Sequence, residues 1–151
     1  MRTIQGLPEL RTLVGTKLGT SDWLTISQER IDAFAAATGD DQWIHTDPVR
    51  AATESPYKTT VAHGFLTLSL CIQLSQTSFH VADCRMIVNY GLNRVRFPSP
   101  VKSGARVRMH SELLDIRDAA EGVQATFKHT IEAEGEPRPA CVAESVLRLF
   151  F

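Results

Sequence analysis

Cysteine is scarce in this 151-residue chain: Cys71, Cys84 and Cys141 are odd in number and share no metal-type spacing. That argues against a disulfide framework and for reduced thiols packed as small hydrophobes, as expected of a cytoplasmic protein. Charge of one sign is also lacking, because 16 basic and 17 acidic residues are scattered without long runs and leave a formal net charge of -1. Neither a nucleic-acid footprint nor a polybasic membrane patch is predicted. Long hydrophobic runs are missing as well. The opening MRTIQGLPELR has no continuous apolar segment, and the longest apolar stretch, near Phe65 to Leu74, is interrupted by Thr67, Ser69 and Gln73. Neither a secretory leader nor a membrane span is expected. No internal repeat, low-complexity tract or linker stands out. The apolar content is 43%, enough at this length for one compact domain over residues 1–151 with a sizeable core. The expected partners are small molecules and copies of the same chain.

The local patterns divide the chain in two. Leu7 to Leu13 predicts a short helix with Pro8 in its first turn, and Trp23 to Ile26 a short strand. Ser27 or Thr25 caps a helix that places Ile31, Phe34 and Ala35 on one face and ends near Gly39. Asp47-Pro48 reads as an N-cap followed by proline at the first helical position, opening a helix through Ala52. Gly64 to Phe79 contains no charge and is apolar nearly all round, which predicts one buried helix. Beyond it the period falls to two. Met86, Val88, Tyr90 and Leu92 mark one half-buried strand, and Val123, Ala125, Phe127, His129, Ile131 and Ala133 another. Ala105 to Ile116 slips phase between Leu113 and Leu114, the mark of a bulge or bend, and a further strand runs from Pro139 to Phe150. Short turns at Ala119 to Gly122 and Glu134 to Pro137 join antiparallel neighbours. Helices early and a meander late predict an α+β fold, with an antiparallel sheet lying against the apolar helix.

Candidate chemistry gathers at three places. Asp40 and His45, in GDDQWIH, have the makings of an acid–base pair around one water. The same residues also read as a helix exit whose acid satisfies backbone donors and whose histidine is an ordinary loop residue. In AHGF, Gly64 opens the apolar helix. Its N–H is a free donor at a positive dipole end, suited to an oxyanion, and equally it is a glycine that lets the chain turn tightly. His63 is either a transition residue or part of a pocket. His45, Asp47 and His63 have metal-ligand chemistry, but Asp47 is already accounted for as a cap, and no metal is expected. Arg94, Arg96 and Lys102 could meet ligand phosphates or be solvated strand-end charges. His110 and His129, inside strands, read as packing or interface residues, and Trp43 as a hydrophobic plug.

Taken in order, FAAATGDDQWIHTDPVRA, VAHGFLTLSL and NYGLNRVRFPSPV resemble the MaoC-like (R)-specific enoyl-CoA hydratases. The similarity spans most of the chain. It is strongest to the NodN-like branch, with GDxQWIH where GDxNPxH is more common. Gln42 and Trp43 stand where Asn and Pro are usual, and Asp40 and His45 stay in place. The resemblance implies a hot-dog fold, a curved antiparallel sheet wrapped around a long helix. It implies a homodimer with an acyl tunnel near the subunit interface, and an acyl-CoA or acyl carrier protein thioester as substrate. Asp40 and His45 would be the catalytic dyad, Gly64 the oxyanion donor, and Gln42, His63 and Arg96 substrate-binding residues, with no cofactor required. A hot-dog thioesterase and a non-catalytic acyl-thioester binding protein are the competing expectations.

Overall fold

A computed structural model describes all residues, 1–151. Its elements are, in order, β1 (Arg2–Ile4), α1 (Gly6–Thr12), β2 (Lys17–Thr20), β3 (Leu24–Thr25), α2 (Gln28–Thr38), α3 (Trp43–Thr46), α4 (Pro48–Glu54), α5 (Gly64–Ser69), α6 (Cys71–Ser78), β4 (Phe79–Val81), β5 (Met86–Arg96), β6 (Arg106–Asp118), β7 (Val123–Ala133) and β8 (Cys141–Phe150). The main sheet runs β2-β6-β7-β8-β5, with β3 also on β6 and every pairing antiparallel. β1 and β4 form a separate parallel pair.

The expected strands β6, β7 and β8 form as read, and β7 alternates buried and half-buried residues along its whole length. This is what a sheet with one face on a core requires. The phase slip in β6 is a bulge, with the register to β7 shifting between Leu113 and Asp115. Three expectations need correction. The apolar helix is not continuous: Leu70 separates α5 from α6, though Leu70 N–H still bonds the Leu66 carbonyl and Leu74 N–H the Leu70 carbonyl. Nor is it buried all round, because Phe65 is 71% and Ile72 50% exposed. Finally, β5 is not half-buried. It pairs only with β8, and its apolar residues, Tyr90 and Ile87 among them, stand exposed on the edge of the sheet.

The core lies where α5 and α6 pack on the sheet. One cluster joins Leu66, Leu70 and Leu74 to Met109, Ile131 and Ala143. A second joins Ile4, Leu10, Leu18 and Val81 to Leu113, Phe127 and Leu149 at the other end of the sheet. Each such side chain contributes about 1.5–3 kcal/mol through burial. Because α5 is fixed by its Leu66 face on this core, its first residue, Gly64, is held beside the segment that carries the candidate acid and imidazole.

Candidate active site

The corner between α2 and α4 is built by local capping. Ser27 accepts from Arg30 N–H at the start of α2, and Gly39 ends that helix in the left-handed region at φ 75°. The segment that follows is not a plain loop. Trp43 to Thr46 form one helical turn, α3, with Gln42 at its N-terminal edge supplying a carbonyl to His45 N–H at 2.9 Å. Asp47 then accepts from Arg50 N–H at 2.9 Å and caps α4. Trp43 is half-buried, with the Arg50 guanidinium 4.4 Å above its ring.

This turn carries His45 inward, to 8% exposure. Its Nδ1 lies 2.6 Å from the Val61 carbonyl oxygen. A carbonyl only accepts, so the neutral ring carries its proton on Nδ1 and leaves Nε2 with a bare lone pair. Val61 is itself fixed, its N–H bonding the Ile44 carbonyl at 3.0 Å. Gln28, at the head of α2, completes the support. Its amide donates to the His45 carbonyl at 2.7 Å and its side-chain oxygen accepts from the Thr60 hydroxyl. Nothing in the local sequence marks Gln28 or Val61 for this role, because both act from across the fold.

His63 lies under the same corner. It is 3% exposed, its ring stacks on that of His45 with centroids 3.8 Å apart, and its Nε2 donates to the Asp40 carbonyl at 2.9 Å. Phe34 of α2 packs against its other side, with ring centroids 5.0 Å apart. One oxygen of Asp40 and one ring nitrogen each of His45 and His63 lie mutually within 4.8 Å. These three are the residues with the donors to hold a metal, and each imidazole gives one nitrogen to a carbonyl and keeps the other free, an arrangement shared by metal ligands and general bases. Asp40 itself is exposed, its carboxylate free at the rim.

Gly64 follows His63 directly and heads α5. Its N–H donates to no group of the chain, and a Cβ placed on it would meet the Phe97 ring at 3.0 Å. Of the remaining candidates, Gln42 is exposed beside this corner, and Arg96 is exposed at the end of β5 with its guanidinium folded back on the Val95 carbonyl at 2.7 Å. The structure does not bring Arg96 to the histidines by any hydrogen bond. A cavity of about 830 Å³ is a groove between α6, β5 and the sheet, lined by Leu68 one turn along the helix from Gly64. Asp40, His45 and Gly64 do not line it. Burial holds the Cys71 thiol on its wall up at about 12 and that of Cys141 at about 11, so both are inert thiols.

An antiparallel sheet packed on a helix, with an acid and two imidazoles gathered at the corner that precedes that helix, is the hot-dog architecture of hydratases and dehydratases. The model described as a MaoC like domain matches residues 9–134, and the chain belongs to the MaoC-like dehydratase family. It is 51% identical over 149 residues, 98% of both chains, to 3-hydroxyacyl-thioester dehydratase Z of Mycobacterium tuberculosis. It is 44% identical to nodulation protein N of Rhizobium leguminosarum bv. viciae over 147 residues, 96% of this chain and 91% of the relative. Among solved structures, the (R)-hydratase from A. caviae involved in PHA biosynthesis superposes with a TM-score of 0.72 at 26% identity, over 90% of this chain and 96% of that one. The protein is a hydro-lyase of this family, and no helix in it is long and apolar enough to cross a membrane.

Proposed function

We propose that the protein interconverts (R)-3-hydroxyacyl thioesters and trans-2-enoyl thioesters, with Asp40 and His45 as the acid–base dyad and the Gly64 N–H as oxyanion donor. The observation that carries this reading is the Nδ1 bond of His45 to the Val61 carbonyl, which leaves Nε2 basic on a ring that has one nitrogen within 4.8 Å of an Asp40 carboxylate oxygen. In dehydration, one proton leaves C2 for the dyad, the C2–H electron pair forms the new double bond, and the 3-hydroxyl departs with a returned proton as water. The reverse sequence adds water in the syn sense. Negative charge grows on the thioester oxygen in both directions, so a free amide there binds the transition state better than the ground state. Acid–base help of this kind contributes about a hundred- to ten-thousandfold. The reaction needs no redox cofactor.

The name of the mycobacterial relative, a 3-hydroxyacyl-thioester dehydratase, supports this substrate class. A thioesterase would direct water to the carbonyl carbon, whereas the imidazole here lies within 4.8 Å of a carboxyl, an arrangement suited to moving a proton between C2 and the oxygen on C3. The deciding assay supplies trans-2-butenoyl-CoA and follows the loss of enoyl absorbance beside the appearance of free thiol. Hydration without thiol is expected; thiol release without a 3-hydroxyacyl product defeats the reading. Phe65, with Met86 and Val88 on the edge strand β5, is exposed and does not line the 830 Å³ groove; through these residues we expect two copies to associate, and sedimentation analysis reads that directly.

A further inference from the structure

The two hydrophobic clusters of the core do not touch along the sheet. On β7 the core-facing residues Val123, Ala125 and Phe127 belong to one cluster and Ile131 and Ala133 to the other, and His129 separates them. The direct partner of His129 is polar on β6 and is Ala143 on β8, where the polar residue lies one same-face step away. Ser111 of β6 is the register partner of His129, and Ser145 of β8, the partner of Phe127, is its diagonal neighbour on the same face. Ser111, His129 and Ser145 therefore make a polar row across three adjacent strands, in a face that is otherwise hydrocarbon.

Ordinary packing does not account for the row. Ser111 Oγ and His129 Nδ1 bond each other at 3.1 Å, which leaves His129 Nε2 and Ser145 Oγ without a hydrogen bond inside the chain. His129 is only 4% exposed and Ser145 7%, and both face the 830 Å³ groove, whose other walls include Leu68, Ile72, Phe79 and Leu92. Two unpartnered polar groups at the floor of an apolar groove penalise a purely hydrocarbon occupant, which would strip them of water and offer nothing in return. An occupant with one oxygen at that depth satisfies them.

We infer that the groove takes the chain of an acyl thioester bearing a neutral hydrogen-bonding oxygen, a hydroxyl or keto group beyond the reacting carbons, and that His129 and Ser145 recognise that oxygen. The inference rests on the thioester reading above. Its two groups cover both kinds of oxygen, since the serine hydroxyl donates or accepts as required. The row itself offers a carboxylate no cation, because burial holds the His129 imidazole down at about 4 and therefore uncharged at neutral pH.

The test is calorimetric titration of the protein with saturated acyl-CoAs from hexanoyl to dodecanoyl, each compared with the ω-hydroxy ligand of matching length. At one chain length the hydroxylated ligand binds about tenfold more tightly, the equivalent of one satisfied hydrogen bond. Ser145→Ala and His129→Phe each bring that ratio to near one. A ratio near one at every length in the unmodified protein overturns the inference, as does a preference that survives both substitutions. Ser145→Ala removes a single oxygen, so the test stands even if His129→Phe fails to fold. Turnover of trans-2-butenoyl-CoA by the unmodified protein is scored apart: its absence defeats the hydratase reading, while the binding ratio still decides the polar row.

Discussion

His63 lies face to face with His45, centroids 3.8 Å apart and ring planes 25° apart, while its Nε2–H holds the backbone of Asp40. One buried ring thus touches both members of the dyad, the first through its backbone carbonyl and the second through its π face. Its other nitrogen, Nδ1, is sealed without a partner. From that placement we propose that His63 positions the pair, a role distinct from the substrate contact that the resemblance implies.

Replacing His63 by Phe keeps a flat ring against His45 and removes the donor to Asp40. The Asp40 corner then loses its tether, and displacements approaching 1 Å at a reacting group cost about a hundredfold in rate. We expect kcat to fall between tenfold and a hundredfold with KM nearly constant. A KM that rises in proportion while kcat holds would return His63 to the role of a ligand contact.

Asp40→Asn and His45→Ala address the dyad itself. Each removes a proton carrier, so each lowers kcat for trans-2-butenoyl-CoA hydration by about a hundredfold or more. The double variant falls little further than the worse single one, because groups acting as a unit are non-additive. Losses that multiply in the double variant would show two independent contributions instead. Asp40 is exposed and its variant should melt with the parent, whereas His45→Ala also loses the bond to Val61 and should melt lower.

Gly64 has two possible reasons to be glycine, and a pair of variants separates them. A Cβ there would press on the Phe97 ring at 3.0 Å and also crowd the mouth of the free N–H. Gly64→Ala lowers kcat by about tenfold or more if the amide serves an oxyanion. Adding Phe97→Ala relieves the ring contact, and we expect it to restore melting temperature without restoring kcat. Recovery of both would mean that the glycine is there for packing alone.

Much of the scaffold was legible because its signals are local. Ser27, Gly39 and the Asp47-Pro48 pair mark helix ends by chemistry confined to a few residues, and the Leu113–Leu114 slip showed the bulge without any knowledge of its partner strand. What stayed hidden depends on residues remote in sequence. β1 and β4 are three residues each and pair in parallel across the chain, a contact that no period announces. The edge position of β5 depends on which strands are its neighbours, so an alternating pattern looked half-buried when it is exposed. The same holds at the site: Asp40, His45 and Gly64 were visible as motifs, whereas the stacking of His63 and the Gln28 clamp needed the fold. His129 read as packing, because its orphaned nitrogen and its row with Ser111 and Ser145 exist only once three strands are in register.

Gly122 shows how tightly one of those local signals is enforced. It closes the β6–β7 turn at φ 69°, and a Cβ there would collide with the Leu149 carbonyl oxygen. Gly122→Ala combines left-handed strain with a backbone collision and should destabilise by at least about 2 kcal/mol. Urea unfolding measures it: an unchanged midpoint would mean that the turn rebuilds without cost.

His129 sets a pH dependence of stability whose sign follows from its burial. Folded, the imidazole titrates at about 4; unfolded, it returns to its ordinary 6.5, so between those values the unfolded chain holds a proton that the folded one refuses. Stability is therefore full above pH 6.5 and is lost as pH falls toward 4, by about 3 kcal/mol at most on linkage arithmetic. Glu132 and Glu134 are held below the ordinary carboxylate range by hydrogen bonds from Arg108 and Arg106, and their protonation acts lower still, so the two effects separate on the pH axis. His129→Gln keeps a polar side chain opposite Ser111 and cannot take up the proton. Its urea midpoints should change little between pH 6.5 and 5, where those of the parent slope downward. A parent without that slope would mean that water reaches His129 freely enough to charge it in place, and the polar row would then face solvent rather than hydrocarbon.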